Sequence, residues 1–297
     1  MPTLKQWYNA TRPKLMPASM VPVAVGVAAV YRDLGEVNWL ASVFTFLCAI
    51  GIQIVTNFVN EIYDFKNGVD KPDRKGPKLS LVNGIITPRQ MIVATIVVAA
   101  VTFLMGLYLV SISDISILFV GILSLIFAYA YTGGPAPLSY LGIADIFVFV
   151  FFGVVAVNGT YYVQAGELSN EVFWLSVPLG LFATNILAVN NIRDHDTDKR
   201  AQKLTLPVRI GLKNAIVLYV VVTGLAYFAG TYTVFQMDTW LMALPILSLP
   251  LAVRLCHDIA TKKGPILNKT LFRNALLLMV YGMLQVIALI ATVRLNI

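Results

Sequence analysis

The chain has 297 residues, of which 58% are hydrophobic and 12% charged, with a formal net charge of +7. Soluble domains are roughly 45–50% apolar and about 25% charged, so this composition excludes one, and it equally excludes a disordered chain. Two cysteines, Cys48 and Cys256, both inside apolar runs, exclude a disulfide scaffold, and neither His195 nor His257 has a partner at zinc-ligand spacing.

What remains is an all-α, polytopic membrane protein. A spanning helix needs roughly 20 mostly apolar residues. Nine such stretches can be drawn, near 16–31, 39–62, 90–111, 114–131, 142–163, 171–190, 214–235, 239–256 and 271–293. They are read as nine transmembrane helices in a single domain covering 1–297. The first contains Pro17 and Pro22 and is expected to be kinked. Ahead of it, Lys5, Arg12 and Lys14 accompany no cleavable apolar segment, so no signal peptide is expected.

The basic residues orient these helices. With the N-terminus in the cytoplasm, all but Arg32 and Arg294 of the 22 Lys and Arg fall on the inner side, which is the asymmetry the positive-inside rule describes. An odd number of spans puts the C-terminus outside. The net positive charge therefore has a membrane meaning: no nucleic-acid partner is expected, and no obligate protein partner is evident. The two long loops, near 63–89 and 191–213, are both inner. Loops of that length in a compact protein are commonly functional.

Each long loop begins in an acidic motif. The first is Asn60-Glu61-Ile62-Tyr63-Asp64, continuing to Asp70 and Asp73-Arg74; the second is Asn190-Asn191-Ile192-Arg193-Asp194-His195-Asp196-Thr197-Asp198. Asn60 and Asn190 are 130 residues apart, as are Asp64 and Asp194, so the chain reads as two related halves followed by an extra helix. Residues at i, i+4 and i+8 share one helix face. Asn60 would project with Asp64, and Asn190 with Asp194 and Asp198. Gln53 and Asn57 continue the first polar face into the membrane, where polar groups face a cavity or the bundle interior. Facing carboxylate clusters repel unless a cation lies between them. Mg²⁺ suits that place, because it takes oxygen ligands from one or two carboxylates and a substrate phosphate. Arg12, Lys66, Arg74, Arg193 and Lys203 are candidates to neutralise such a phosphate. Asp145, a lone acid at the start of the fifth span, is expected to be structural.

These motifs resemble the paired aspartate-rich motifs of the UbiA superfamily of intramembrane prenyltransferases. Gly68-Val69-Asp70, Asp73-Arg74-Lys75-Gly76-Pro77, Tyr131-Thr132-Gly133-Gly134-Pro135, Gly159-Thr160-Tyr161-Tyr162 and Arg12-Pro13-Lys14 are similar to its menaquinone branch, the 1,4-dihydroxy-2-naphthoate polyprenyltransferases. The likeness covers nearly the whole chain and implies a UbiA-type bundle in the cell membrane with its active site facing the cytoplasm. Two positions depart from the family pattern: Glu61 stands where an aspartate is usual, and 131–140 lacks a basic residue.

The resemblance implies an Mg²⁺-dependent enzyme of menaquinone biosynthesis. It would join a polyprenyl diphosphate to an aromatic acid, with loss of CO2 and diphosphate. Asp64, Asp194, Asn60 and Asn190 are the expected catalytic residues. Asp64, Asp70, Asp194, Asp198 and Glu61 are the expected metal ligands, and Arg74, Lys66, Arg193, Lys203 and Arg12 the diphosphate ligands. Asn158, Tyr131 and Tyr162 are candidates for the aromatic acceptor, with Tyr63, Tyr140, Tyr161 and Gln164 as weaker ones. Related acceptors such as 4-hydroxybenzoate and homogentisate remain open. A secondary transporter is the reading from another class, but transporter acids sit near the bilayer midplane.

Overall fold

A computed structural model describes residues 2–69 and 79–295, and all regular structure among them is helical. In chain order the elements are α1 (Leu4–Ala10), a 3-10 turn (Pro13–Leu15), α2 (Pro17–Leu34), α3 (Trp39–Lys66), α4 (Pro88–Ile112), α5 (Ile115–Ala130) and α6 (Leu138–Leu141). Next comes α7 (Ala144–Phe149), running through a π-helical segment (Val150–Val155) into α8 (Ala156–Ala165), and then α9 (Asn170–Arg200), α10 (Leu206–Ile210) and α11 (Leu212–Gln236). A 3-10 segment (Trp240–Ser248) leads into α12 (Leu249–Thr261), and α13 (Leu267–Leu295) closes the described chain.

Polar residues at the helix ends account for several of the boundaries. Thr3 and Thr87 form capping boxes with Gln6 and Gln90, and Asn38, Asp114 and Ser169 each accept a backbone N–H of the first turn. Gly35 and Gly166 stop α2 and α8 in the left-handed conformation.

All nine apolar stretches are helical, but nine full-length spans is too many. Among the described residues seven helices are long and apolar enough to cross a membrane. An eighth requires counting the hook Leu4–Leu15 together with Pro17–Leu34, to which it is bent by 61°. The stretch at 115–130 is only 16 residues long. At 1.5 Å per residue it reaches about 24 Å, short of the ~30 Å hydrocarbon layer.

The packing is uneven between the halves. The largest apolar core joins α2, α8, α9, α11, α12 and α13, with Tyr219, Tyr281, Phe182, Leu175 and Leu179 fully buried. Gly153 lies against Gly180 so closely that an added Cβ would sit 2.5 Å from its Cα, which lets the π-helical segment cross α9 backbone to backbone. The α3–α4–α5 side has only small clusters of buried residues. Between it and α7–α8 lies an apolar cavity of about 190 Å³, lined by residues such as Val23, Ile52, Leu125, Phe127, Phe147 and Phe151.

Candidate active site

Both motif helices run past the apolar layer. α3 has 28 residues and α9 has 31, so their last turns stand about two to three turns beyond a ~30 Å core. The facing predicted from the spacing is what the structure shows. Gln53, Asn57, Asn60 and Asp64 of α3 line one wall of a cleft of about 140 Å³; Asn190, Asp194 and Asp198 of α9 line the opposite wall. Arg12 and Lys203 complete its charged rim.

The N-terminal hook is tied to the polar face of α3. Gln53 Nε2 donates to the Leu15 carbonyl at 2.9 Å, Asn57 Nδ2 to the Thr11 carbonyl at 3.1 Å, and Arg12 Nη2 to Asn60 Oδ1 at 3.2 Å. Arg12 itself adopts a left-handed conformation with φ 56°. It precedes Pro13, which disfavours the right-handed helical region at that position. The polar ladder of α3 thus places an arginine over the first motif.

Asp64 is buried and fully engaged. Oδ1 accepts from Lys203 Nζ at 2.9 Å and from the Tyr140 hydroxyl at 3.2 Å; Oδ2 accepts from Lys203 Nζ at 2.8 Å and from Asn60 Nδ2 at 3.1 Å. Lys203 comes from the turn that ends α9. There Gln202 takes the left-handed conformation, Gln202 N–H bonds the Lys199 carbonyl, and Lys203 N–H bonds the Asp198 carbonyl. This is the Schellman arrangement, and it folds Lys203 back over the cleft. Burial alone would lower the pKa of the Lys203 ammonium, but the charges of Asp64 and Asp198 outweigh it and raise it. Burial and the Asp64 charge raise the pKa of Tyr140, so its hydroxyl stays protonated and donates.

Asp194 is held differently. Its neighbour Arg193 clamps it with Nε on Oδ1 at 2.8 Å and Nη2 on Oδ2 at 2.5 Å. The same guanidinium donates to Asn190 Oδ1 and to Asn268 Oδ1 of α13, each at 2.8 Å. Asp198 is also buried and accepts from Thr205 Oγ1 at 3.4 Å.

Several expected site residues lie elsewhere. Glu61 is one position past Asn60, so the helix turns it about 100° off the cleft face; it is buried and accepts the Leu81 N–H at 2.8 Å. Lys66 is about 200° from Asp64 and is exposed. Arg193 does not line the cleft; it acts behind it, on Asp194 and Asn190. Asn158 is tucked into its own helix, its Nδ2 on the Val154 carbonyl at 2.9 Å. Tyr162 is at the far end of the bundle, donating to Asp114. Tyr161 and Gln164 are there too, bonded to Asp33 and to Asn38 and Ser42. Tyr131 does line the cleft. Asp70 and Arg74 lie outside the described residues. Asn268 carries no signal in the sequence, since it stands alone after Pro265 and is brought to Arg193 only by packing of α13 against α9.

Thr56, Tyr131, Val148 and Phe152 line both the cleft and the apolar cavity, so the polar chamber with both motifs adjoins the apolar one. Among the described residues no three His, Cys, Asp or Glu side chains converge closely enough to form a ready metal cage. The donor set nevertheless fits Mg²⁺: every group of the two motifs that lines the cleft presents a hard oxygen. Mg²⁺ is commonly held by one or two carboxylates plus phosphate and water rather than by an all-protein cage. Lys203 on Asp64 and Arg193 on Asp194 keep those carboxylates neutralised meanwhile.

The profile of the UbiA prenyltransferase family matches residues 19–280. The chain is 33% identical to the 1,4-dihydroxy-2-naphthoate octaprenyltransferase of Haemophilus influenzae, covering 84% of each chain. It is 32% identical to the protein of the same name from Escherichia coli, over 88% of this chain and 86% of that one. Its fold is similar to that of a UbiA homolog from Archaeoglobus fulgidus bound to DMAPP and Mg²⁺, with a TM-score of 0.67 and 15% identity over 95% of this chain and 99% of that chain.

Proposed function

From the chain's membership of the UbiA prenyltransferase family, we propose that it transfers a polyprenyl group from polyprenyl diphosphate to 1,4-dihydroxy-2-naphthoate, releasing diphosphate and CO2 and giving a demethylmenaquinone. The observation that carries this reading is the adjacency of the two chambers, which share Thr56, Tyr131, Val148 and Phe152. A polyprenyl diphosphate has a multiply charged anionic head and a long apolar tail. Facing acid motifs with Arg12 and Lys203 suit the head, and the apolar cavity suits the first part of the tail. The relatives named for dihydroxynaphthoate support the choice of acceptor.

Asp64, Asp194 and Asp198, with the amide oxygens of Asn60 and Asn190, would hold Mg²⁺, which when bound supplies positive charge against the departing diphosphate. Lys203 and Arg12 neutralise what charge remains on the leaving group. Arg193, anchored by Asn268, orients Asp194 and Asn190. As the C–O bond to diphosphate breaks, the allylic carbon is left electron-poor. The apolar walls formed by Val148 and Phe152 exclude water from it. The acceptor ring then attacks through its carboxyl-bearing carbon, and the carboxylate leaves as CO2 with its bonding electrons returned to the ring. Tyr131, which lines both chambers, would contact that ring. The distribution of Lys and Arg supports an N-terminus and active site on the cytoplasmic side, with the chain forming one domain.

The test is prenyl transfer by purified protein in detergent, with Mg²⁺, a mid-length polyprenyl diphosphate, and dihydroxynaphthoate, 4-hydroxybenzoate and homogentisate offered in parallel. Product with CO2 release from dihydroxynaphthoate alone is expected. Transfer to another acceptor would keep the mechanism and overturn the acceptor. No Mg²⁺-dependent product from any of them would overturn both.

A further inference from the structure

The two carboxylates at the heart of the motifs are neutralised by cations of different freedom. Arg193 is adjacent to Asp194 in the chain and is fixed by Asn190 and Asn268 as well. Lys203 reaches Asp64 across the cleft on a flexible four-carbon stem. Its ammonium touches both oxygens, lies over the Tyr140 ring with the centroid 5.3 Å away, and feels the charge of Asp198 as well. With Asn60 and Tyr140 adding one bond each, the roughly four acceptor directions of the Asp64 carboxylate are all used. A second cation cannot join without displacing a donor. Asn60 and Tyr140 are neutral and yield without charge repulsion. The ammonium is both a competitor for the same lone pairs and a like charge beside the newcomer.

We propose that Lys203 is a built-in counter-ion that holds the place of the divalent cation on Asp64, and that loading the metal requires its ammonium to move from Asp64 to the diphosphate. This deepens the reading of the cleft as a metal–diphosphate site and rests on it. The swap links the two ligands. A diphosphate draws Lys203 off Asp64 and so strengthens metal binding; a metal on Asp64 releases Lys203 and so strengthens diphosphate binding. The coupling is reciprocal by linkage. It also gives the resting enzyme a folded cleft in the absence of substrate, with Asp64 and Asp194 each paired to a cation. Asp194 has no comparable exchange available, because Arg193 has nowhere to go without leaving Asn268 and Asn190.

The experiment is direct titration of the purified protein in detergent with Mn²⁺ as the probe, reading free Mn²⁺ by electron paramagnetic resonance, with no diphosphate present. Lys203→Met keeps the length of the side chain and removes its charge; it should bind Mn²⁺ about tenfold more tightly than the parent, within the usual 5–150-fold range of coupling between sites. Lys203→Arg preserves the charge and should fold like the parent. Its planar fork grips a carboxylate more firmly, so it should bind Mn²⁺ several-fold more weakly. Unchanged or weaker binding by folded Lys203→Met overturns the proposal. If that variant does not fold, unchanged or tighter binding by Lys203→Arg overturns it instead. Asp64→Asn separates this from the underlying reading: it should remove the Mn²⁺ site. If Asp64→Asn leaves the parental binding intact, the metal site is misplaced and both ideas fall. If Asp64→Asn removes binding but neither Lys203 variant shifts it, only the counter-ion role falls.

Discussion

Asp64 and Asp33 lie at opposite ends of the same bundle, and each accepts a hydrogen bond from a tyrosine hydroxyl, Tyr140 at 3.2 Å and Tyr161 at 2.8 Å. Around Asp33 most interactions tie helices together. Arg32 pairs with Asp33 and with Glu171 of α9 at 2.7 Å, Tyr162 of α8 binds Asp114 at the α4–α5 turn, and Gln164 bridges to Asn38 and Ser42 of α3. These carboxylates are spent on structure, and none of them lines either cavity. Around Asp64 the carboxylates line a cleft, with Arg12 and Lys203 on its rim. The same residue types form a latch at one end and the wall of a cleft at the other. What separates them is whether the partners face a space large enough for a ligand.

The sharpest way to break this comparison is to neutralise the cleft end. Asp64→Asn and Asp194→Asn should each lower kcat/KM by about 10³-fold, the upper range for losing one electrostatic element of transition-state stabilisation. Each should also lower the unfolding temperature, since it leaves the buried Lys203 or Arg193 without its carboxylate, so the rate is read per folded molecule. Substantial turnover by either variant at ordinary Mg²⁺ would remove these residues from the chemistry. Glu61 tests the boundary between the two classes, being in the motif yet bonded like a latch. Glu61→Ala should leave the buried Leu81 N–H without a partner and cost about 1–3 kcal/mol of stability, with the Mg²⁺ concentration for half-maximal rate unchanged. A shifted Mg²⁺ dependence at parental stability would return Glu61 to the metal side. At the latch end, Tyr161→Phe should cost about 1 kcal/mol, seen as a lower unfolding temperature, while the rate per folded molecule stays the same.

Periodicity made much of this legible. The helices, the shared faces of Asn60 with Asp64 and of Asn190 with Asp194 and Asp198, and the meeting of the two motifs follow from 3.6 residues per turn and from the cost of placing polar groups in an apolar layer. Rotation about the helix axis is also periodic, and it would have excluded Glu61 and Lys66 from the cleft face had it been applied residue by residue. Asn268 and Tyr140 were not legible as partners of Arg193 and Asp64, because packing of α13 against α9 and the position of the short α6 bring them there. Tyr162 shows the opposite limit: a motif that resembles a substrate-binding string is the latch, and only the position of its helix end reveals it. The span count failed because apolarity does not measure length: α5 is a 16-residue helix, and α2 qualifies only together with the bent hook before it.

The smallest effect concerns the turn that delivers Lys203. Gln202 is exposed and holds φ 56°, a conformation that costs a residue with a Cβ roughly 1–2 kcal/mol. Glycine there would escape that cost but would lose more backbone entropy on folding, about 0.5–1 kcal/mol. Gln202→Gly should therefore stabilise the protein by roughly 0.5 kcal/mol, and it should leave the KM for polyprenyl diphosphate unchanged, because the backbone bonds to Lys199 and Asp198 set the path of Lys203. Gln202→Val should do the reverse. A β-branched residue resists the left-handed region, so the turn opens, Lys203 loses its reach to Asp64, and the KM rises several-fold before any loss of fold is apparent. Equal KM values for the two variants, with only the unfolding temperature moving, would mean that the lysine stem absorbs the change and that the turn serves α9 alone.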